Sequence, residues 1–71
     1  MAEDALHEGA LRALPLPYSL ALRLRTAGVA SDAICEYVGI EVTALDAFYR
    51  MAEAKLESEL SRRVASAARF E

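Results

Sequence analysis

Gly28-Val29-Ala30-Ser31-Asp32-Ala33-Ile34-Cys35-Glu36-Tyr37-Val38-Gly39-Ile40 is the stretch whose reading decides the fold. It opens on a glycine, runs through a short segment with apolar residues at helical spacing (Ala33, Ile34, Tyr37, Val38), meets a second glycine and resumes on an apolar residue. Glycine enters the left-handed backbone region at little cost, so it commonly stands just past the last turn of a helix. Gly28 therefore reads as the stop of a preceding helix and Gly39 as a tight turn with positive φ. Ser31 or Asp32 is placed to cap the short helix between them.

Working outward, Tyr18, Leu20, Ala21, Leu24 and Ala27 give a helix that starts near Pro17 and ends at Gly28. Before it, Leu6, Ala10, Leu11 and Leu14 recur at helical spacing behind the acidic Glu3 and Asp4, which suit the positive end of a helix dipole. That predicts a first helix from about Glu3 to Leu14, ended by Pro15 and Pro17. From Val42 to about Phe70 there is neither Gly nor Pro, and Ala, Leu, Glu, Arg and Met dominate. These are good helix formers, and one long fourth helix follows. No β-type alternation of any length occurs. The expectation is an all-α fold: a trihelical helix-turn-helix core with an N-terminal helix and a long C-terminal helix. It forms a single helical domain over 1–71, with the motif at about 29–56 and a helical arm at about 57–70.

Composition narrows the function classes. The 71 residues allow one small core, so self-association or a partner would add needed stability, and the chain is predicted not to be a stable monomer. Charges interrupt every apolar run well short of the ~20 residues a membrane span needs, so no membrane association is expected. The opening Met1-Ala2-Glu3-Asp4 is acidic where a signal peptide is basic, which predicts a cytoplasmic protein. Cys35 is the single cysteine and His7 the single histidine. Cys35 reads as a small buried apolar residue, and no metal site is expected, since structural zinc draws its ligands from several Cys and His. There is no Ser-His-Asp set and no glycine-rich phosphate loop, which points away from an enzyme, a cofactor or a small-molecule substrate.

The glycine turn with its apolar frame is the pattern of a helix-turn-helix, and here the chain resembles region four of bacterial sigma factors. Their usual pattern is Gly-Leu-Ser-x-x-Glu-Ile-Ala-Glu-x-Leu-Gly-Ile, followed by a recognition helix ending in x-x-Ala-x-x-x-Leu. Ile34, Glu36, Val38, Gly39 and Ile40 fall in register, as do Ala52 and Leu56, and the resemblance runs from about Tyr18 to Leu56. Cys35 replaces the family's small Ala and Ala30 its Ser cap. The resemblance implies a transcription-associated protein that binds DNA or a transcription protein. It makes the fourth helix the recognition helix, with Thr43, Ala44, Ala47, Phe48, Arg50, Met51 and Ala54 as contact residues and Arg23 and Arg25 near a nucleic-acid backbone.

Charge pulls the other way. Between Gly28 and Leu60 stand seven acids (Asp32, Glu36, Glu41, Asp46, Glu53, Glu57, Glu59) and two bases (Arg50, Lys55), a balance of −5. Asp46 and Phe48 occupy positions where the family often has arginine. Even non-specific DNA binding needs several phosphates neutralised by Lys and Arg. On a helical projection Leu45, Tyr49, Ala52 and Leu56 face the core, while Ala44, Ala47, Met51 and Ala54 lie opposite with Arg50 beside them. That small apolar face suits another helix. The alternative expectation is therefore a protein–protein interaction or dimerisation module that kept the fold and lost DNA binding. Leu60, Val64 and Phe70 form the inner edge of an arm that must lie on the first helix, a second copy or a partner.

Overall fold

The computed structural model describes residues 2–68, and among them there are helices and no strand. Helix α1 spans Ala2–Ala13, α2 Leu16–Thr26, α3 Ser31–Val38 and α4 Leu45–Ala68, with a 3-10 turn at Val42–Ala44 ahead of α4. The chain is all-α. Phe70, assigned by sequence to the arm, lies outside the described residues.

Both glycine stops take the form read from the sequence. Gly28 (φ 83°) and Gly39 (φ 79°) are left-handed. Behind Gly28, the Val29 amide donates to the Leu24 carbonyl (3.1 Å) and the Gly28 amide to that of Arg25 (3.0 Å). Those paired bonds, with apolar Val29 folded back toward Leu24, make a Schellman stop. Around Gly39 the amides of Gly39 and Ile40 both reach the Cys35 carbonyl, at 2.8 and 3.1 Å.

Other boundaries differ from the sequence expectation. Pro15 takes the N-cap position of α2, so the helix begins at Leu16 and not at Pro17. Ala30 (ψ 147°) caps α3 with no side-chain hydrogen bond, and Ser31 and Asp32 lie inside its first turn. The long fourth helix does not start at Val42. One tight 3-10 turn, closed by the Ala44 amide on the Glu41 carbonyl (3.0 Å), comes first and sets the direction of α4.

Two apolar clusters hold the helices. In one, Leu11, Leu14, Leu22 and Ala52 are buried, joined by Tyr18, Tyr49 and Leu56, which welds α1 and α2 to α4. In the other, Ala21, Ile34, Cys35 and Leu45 are buried with Leu24, Val29, Val38, Ile40, Phe48 and Tyr49 around them. Tyr49 packs against both. Leu45, Ala52, Tyr49 and Leu56 thus occupy the inner face that the projection gave them. The arm question is answered in part: α1 lies along α4, and Gly9 of α1 sits under the Arg63 guanidinium, 3.0 Å from where a Cβ would stand. Leu60 is half-buried there, whereas Val64 remains 53 % exposed. With a radius of gyration of 13.5 Å the molecule is longer than a sphere of its size, because α4 outruns the helices that cover it.

Candidate interaction face

The candidate face is the outer side of α4 together with the 3-10 turn ahead of it. Thr43, Ala44, Ala47, Arg50, Met51 and Ala54 are all exposed, Met51 at 53 %. Those on α4, Ala47, Arg50, Met51 and Ala54, are held in place because Leu45, Ala52 and Leu56, on the opposite side of the same helix, anchor it in the two clusters. Ala44, Ala47, Met51 and Ala54 make the apolar part of the face, with the flexible Met51 near the middle, and Thr43 and Arg50 add a hydroxyl and a positive charge beside it. Methionine adapts to irregular apolar partners, and alanines let a second backbone approach closely.

Phe48 does not belong to that face, contrary to the sequence assignment. It is half-buried against the Ile34 cluster, and its ring stacks on Tyr18 of α2 with centroids 4.8 Å apart and planes 20° from parallel. Tyr18, thirty positions away, supplies a partner that a helical projection of α4 alone does not reveal.

The arginines set the electrostatics. Arg23 donates to both carboxylate oxygens of Glu8, at 2.7 and 3.2 Å, clamping α2 to α1. That bidentate contact holds the Glu8 carboxyl below its ordinary pKa, through the hydrogen bond first and the nearby charges of Arg23 and Arg12 second, and it raises that of Arg23. Arg25 donates to Glu53 at 3.1 Å and lies over the Tyr49 ring, 4.5 Å from its centroid. Arg62 and Arg63 both pair with Glu59, the latter at 3.7 Å, and Lys55 reaches over the Tyr18 ring at 5.4 Å. Arg23 and Arg25, the two bases expected near a nucleic-acid backbone, are therefore already engaged with carboxylates.

On the motif side the opposite holds. Asp32, Glu36, Glu41, Asp46 and Glu57 are exposed and, among the described residues, form no ion pair. Arg50 likewise forms no ion pair among the described residues. Exposed pairs contribute little to stability, typically under ~1 kcal/mol. Their effect on the outer potential is larger: pairing offsets the positive charges of Arg23 and Arg25, whereas Asp32, Glu36, Glu41 and Asp46 outnumber the one unpaired base beside them, Arg50.

A cleft of about 430 Å³ opens between α1, α2 and α4, floored by Leu11, Leu22 and Leu56 and rimmed by His7, Glu8, Arg23 and Arg25. Its rim includes the Glu8–Arg23 pair and the Arg25 end of the Arg25–Glu53 pair. Among the described residues no three His, Cys, Asp or Glu side chains gather as metal ligands do, and no helix is long and apolar enough to cross a membrane. Sequence reading missed the ion-pair partners of Arg23 and Arg25 because they lie 15 and 28 residues away. No protein-family model matches the chain, and neither does a curated protein or a solved structure.

Proposed function

We propose that the chain is a transcription-associated helix-turn-helix protein of the sigma region-four type that works by binding protein through the outer face of α4, and not as a stand-alone DNA binder. One observation carries the reading. The arginines that would face phosphate are held by Glu8 and Glu53, while four carboxylates of the motif segment, Asp32, Glu36, Glu41 and Asp46, have no cation against them among the described residues. DNA affinity comes largely from counterions released when bases neutralise phosphates. A surface that releases its own ion pairs to gain phosphate contacts loses on both counts, and unpaired carboxylates repel the duplex. An apolar, alanine-rich helix face has no such conflict with a second protein.

The test is a titration of generic duplex DNA at several salt concentrations. The unmodified chain is expected to bind weakly at physiological salt with a shallow log–log slope. Asp46→Arg with Glu41→Arg should strengthen binding and steepen the slope by about 0.9 for each phosphate gained. Tight binding by the unmodified chain, with a slope reporting six or more phosphates, would overturn the protein-binding reading in favour of DNA.

A further inference from the structure

The outer stripe of α4 has the spacing of a two-helix seam. Ala47, Met51, Ala54 and Ser58 recur at steps of four, three and four, the heptad spacing that keeps one stripe facing a neighbouring helix. All four are exposed, and three of them are small. A stripe of small residues alone does not name its occupant; the charges beside it do.

Arg50 and Glu57 flank the stripe on one side, each just ahead of a seam residue, at equivalent positions of successive heptads. Both are exposed and, among the described residues, both lack an oppositely charged partner. Seven residues apart on one helix, they stand about 10 Å from each other along the axis and cannot pair within the chain. Against an antiparallel copy of the same helix they can. Setting Met51 across from Ala54 of the second copy also sets Ala47 across from Ser58, and it brings Arg50 of each helix to Glu57 of the other, twice over by the twofold axis. A parallel pairing does the reverse, because the flanking positions that then meet are Arg50 and Lys55, two like charges.

We propose that α4 pairs antiparallel with α4 of a second copy, the alanines and Met51 forming the seam and reciprocal Arg50–Glu57 ion pairs fixing its direction. The inference rests on the reading of this face as a protein contact and names its occupant. It also gives a use to the two flanking charges of this stripe that the monomer leaves unmatched.

The experiment is sedimentation equilibrium on the full chain and on two charge reversals, Arg50→Glu and Glu57→Arg, with helical circular dichroism recorded for each to show that the monomer fold is kept. Both side chains are exposed and unpaired, so neither change disturbs the core. The unmodified chain is expected to dimerise at or below about 100 micromolar. Each reversal alone places like charges across both ends of the seam and should raise the dissociation constant by about tenfold or more. Mixing the two variants should recover association as a heterodimer, because both cross-helix pairs become attractive again. An unmodified chain that stays monomeric to several times that concentration overturns the proposal. So does failure of the mixture to recover, or an Arg50→Glu variant that associates more tightly, which is the signature of the parallel arrangement. The wider functional reading fails separately, in the DNA titration: a monomer that also ignores DNA refutes only the choice of a second copy, while tight DNA binding refutes the protein-contact reading itself.

Discussion

Ile34→Ala removes three carbon atoms from a side chain that is only 1 % exposed and lies where α2, α3 and the start of α4 meet. At about 0.8 kcal/mol for each buried methylene-sized group, the lost transfer energy is ~2.4 kcal/mol. The cavity adds to this, since Ala21, Cys35 and Leu45 around it are small or anchored from other helices, and the total should fall at about 3–4 kcal/mol. A chain of this size has a global stability of roughly 4–11 kcal/mol, so the loss is a large part of the whole. Urea unfolding followed at 222 nm measures it, with Ile34→Val expected at about 1 kcal/mol as the graded step. Leu16→Ala provides the contrast, because Leu16 is 74 % exposed and its truncation should stay within about 0.5 kcal/mol. A loss under 1 kcal/mol for Ile34→Ala would mean that α3 is not seated on α2 as described, and the position of the whole motif would fall with it.

Gly39→Val should destabilise by about 2 kcal/mol and Gly39→Asn by clearly less; nothing lies within 4 Å of the missing Cβ, so the cost is the left-handed backbone alone, which Asn tolerates and a β-branched residue resists. Equal losses in the two variants, by thermal melting, would show that crowding and not φ governs the turn. Gly9→Ala should instead stabilise α1 by about 0.5–1 kcal/mol, because the atom met by the new methyl is the far end of the flexible Arg63 side chain; a net loss in urea would show that Arg63 cannot yield. The Glu8 carboxyl, lowered by Arg23, should titrate below an ordinary glutamate in a carboxyl-detected NMR series. Its stabilising contribution is present above the unfolded-state pKa and fades as the pH falls through the lower folded value, and Arg23→Gln should return the titration to the ordinary range.

What could be read from the sequence was local. Gly28 and Gly39 announce their stops because only glycine is at ease with φ near 80°, and the Leu45, Tyr49, Ala52 and Leu56 stripe announces the buried side of α4 because burial follows the helical period. What escaped depends on contacts between distant segments. Phe48 looked like a surface residue until Tyr18 came to lie against it, and Arg23 and Arg25 looked available until the fold delivered Glu8 and Glu53. The cap of α3 failed for a different reason. Ser31 is a better capping residue than Ala30, yet the Schellman stop at Gly28 and Val29 is followed at once by Ala30 in the extended cap conformation, so backbone geometry next to the stop overrode side-chain preference.

Tyr49 is a side chain shared by two small cores, and that sharing governs how the molecule can open. Among the described residues each cluster holds four buried side chains, so peeling α1 from α4 takes Leu11 and Leu14 out of the first cluster and with them part of the packing around Tyr49, which also supports the cluster of Ile34 and Leu45. Weakening of α1 is therefore expected to lower hydrogen-exchange protection in α3 as well as in α1. The outer face of α4 is carried by a helix that α1 packs against, so truncation of α1 is expected to loosen that face as well.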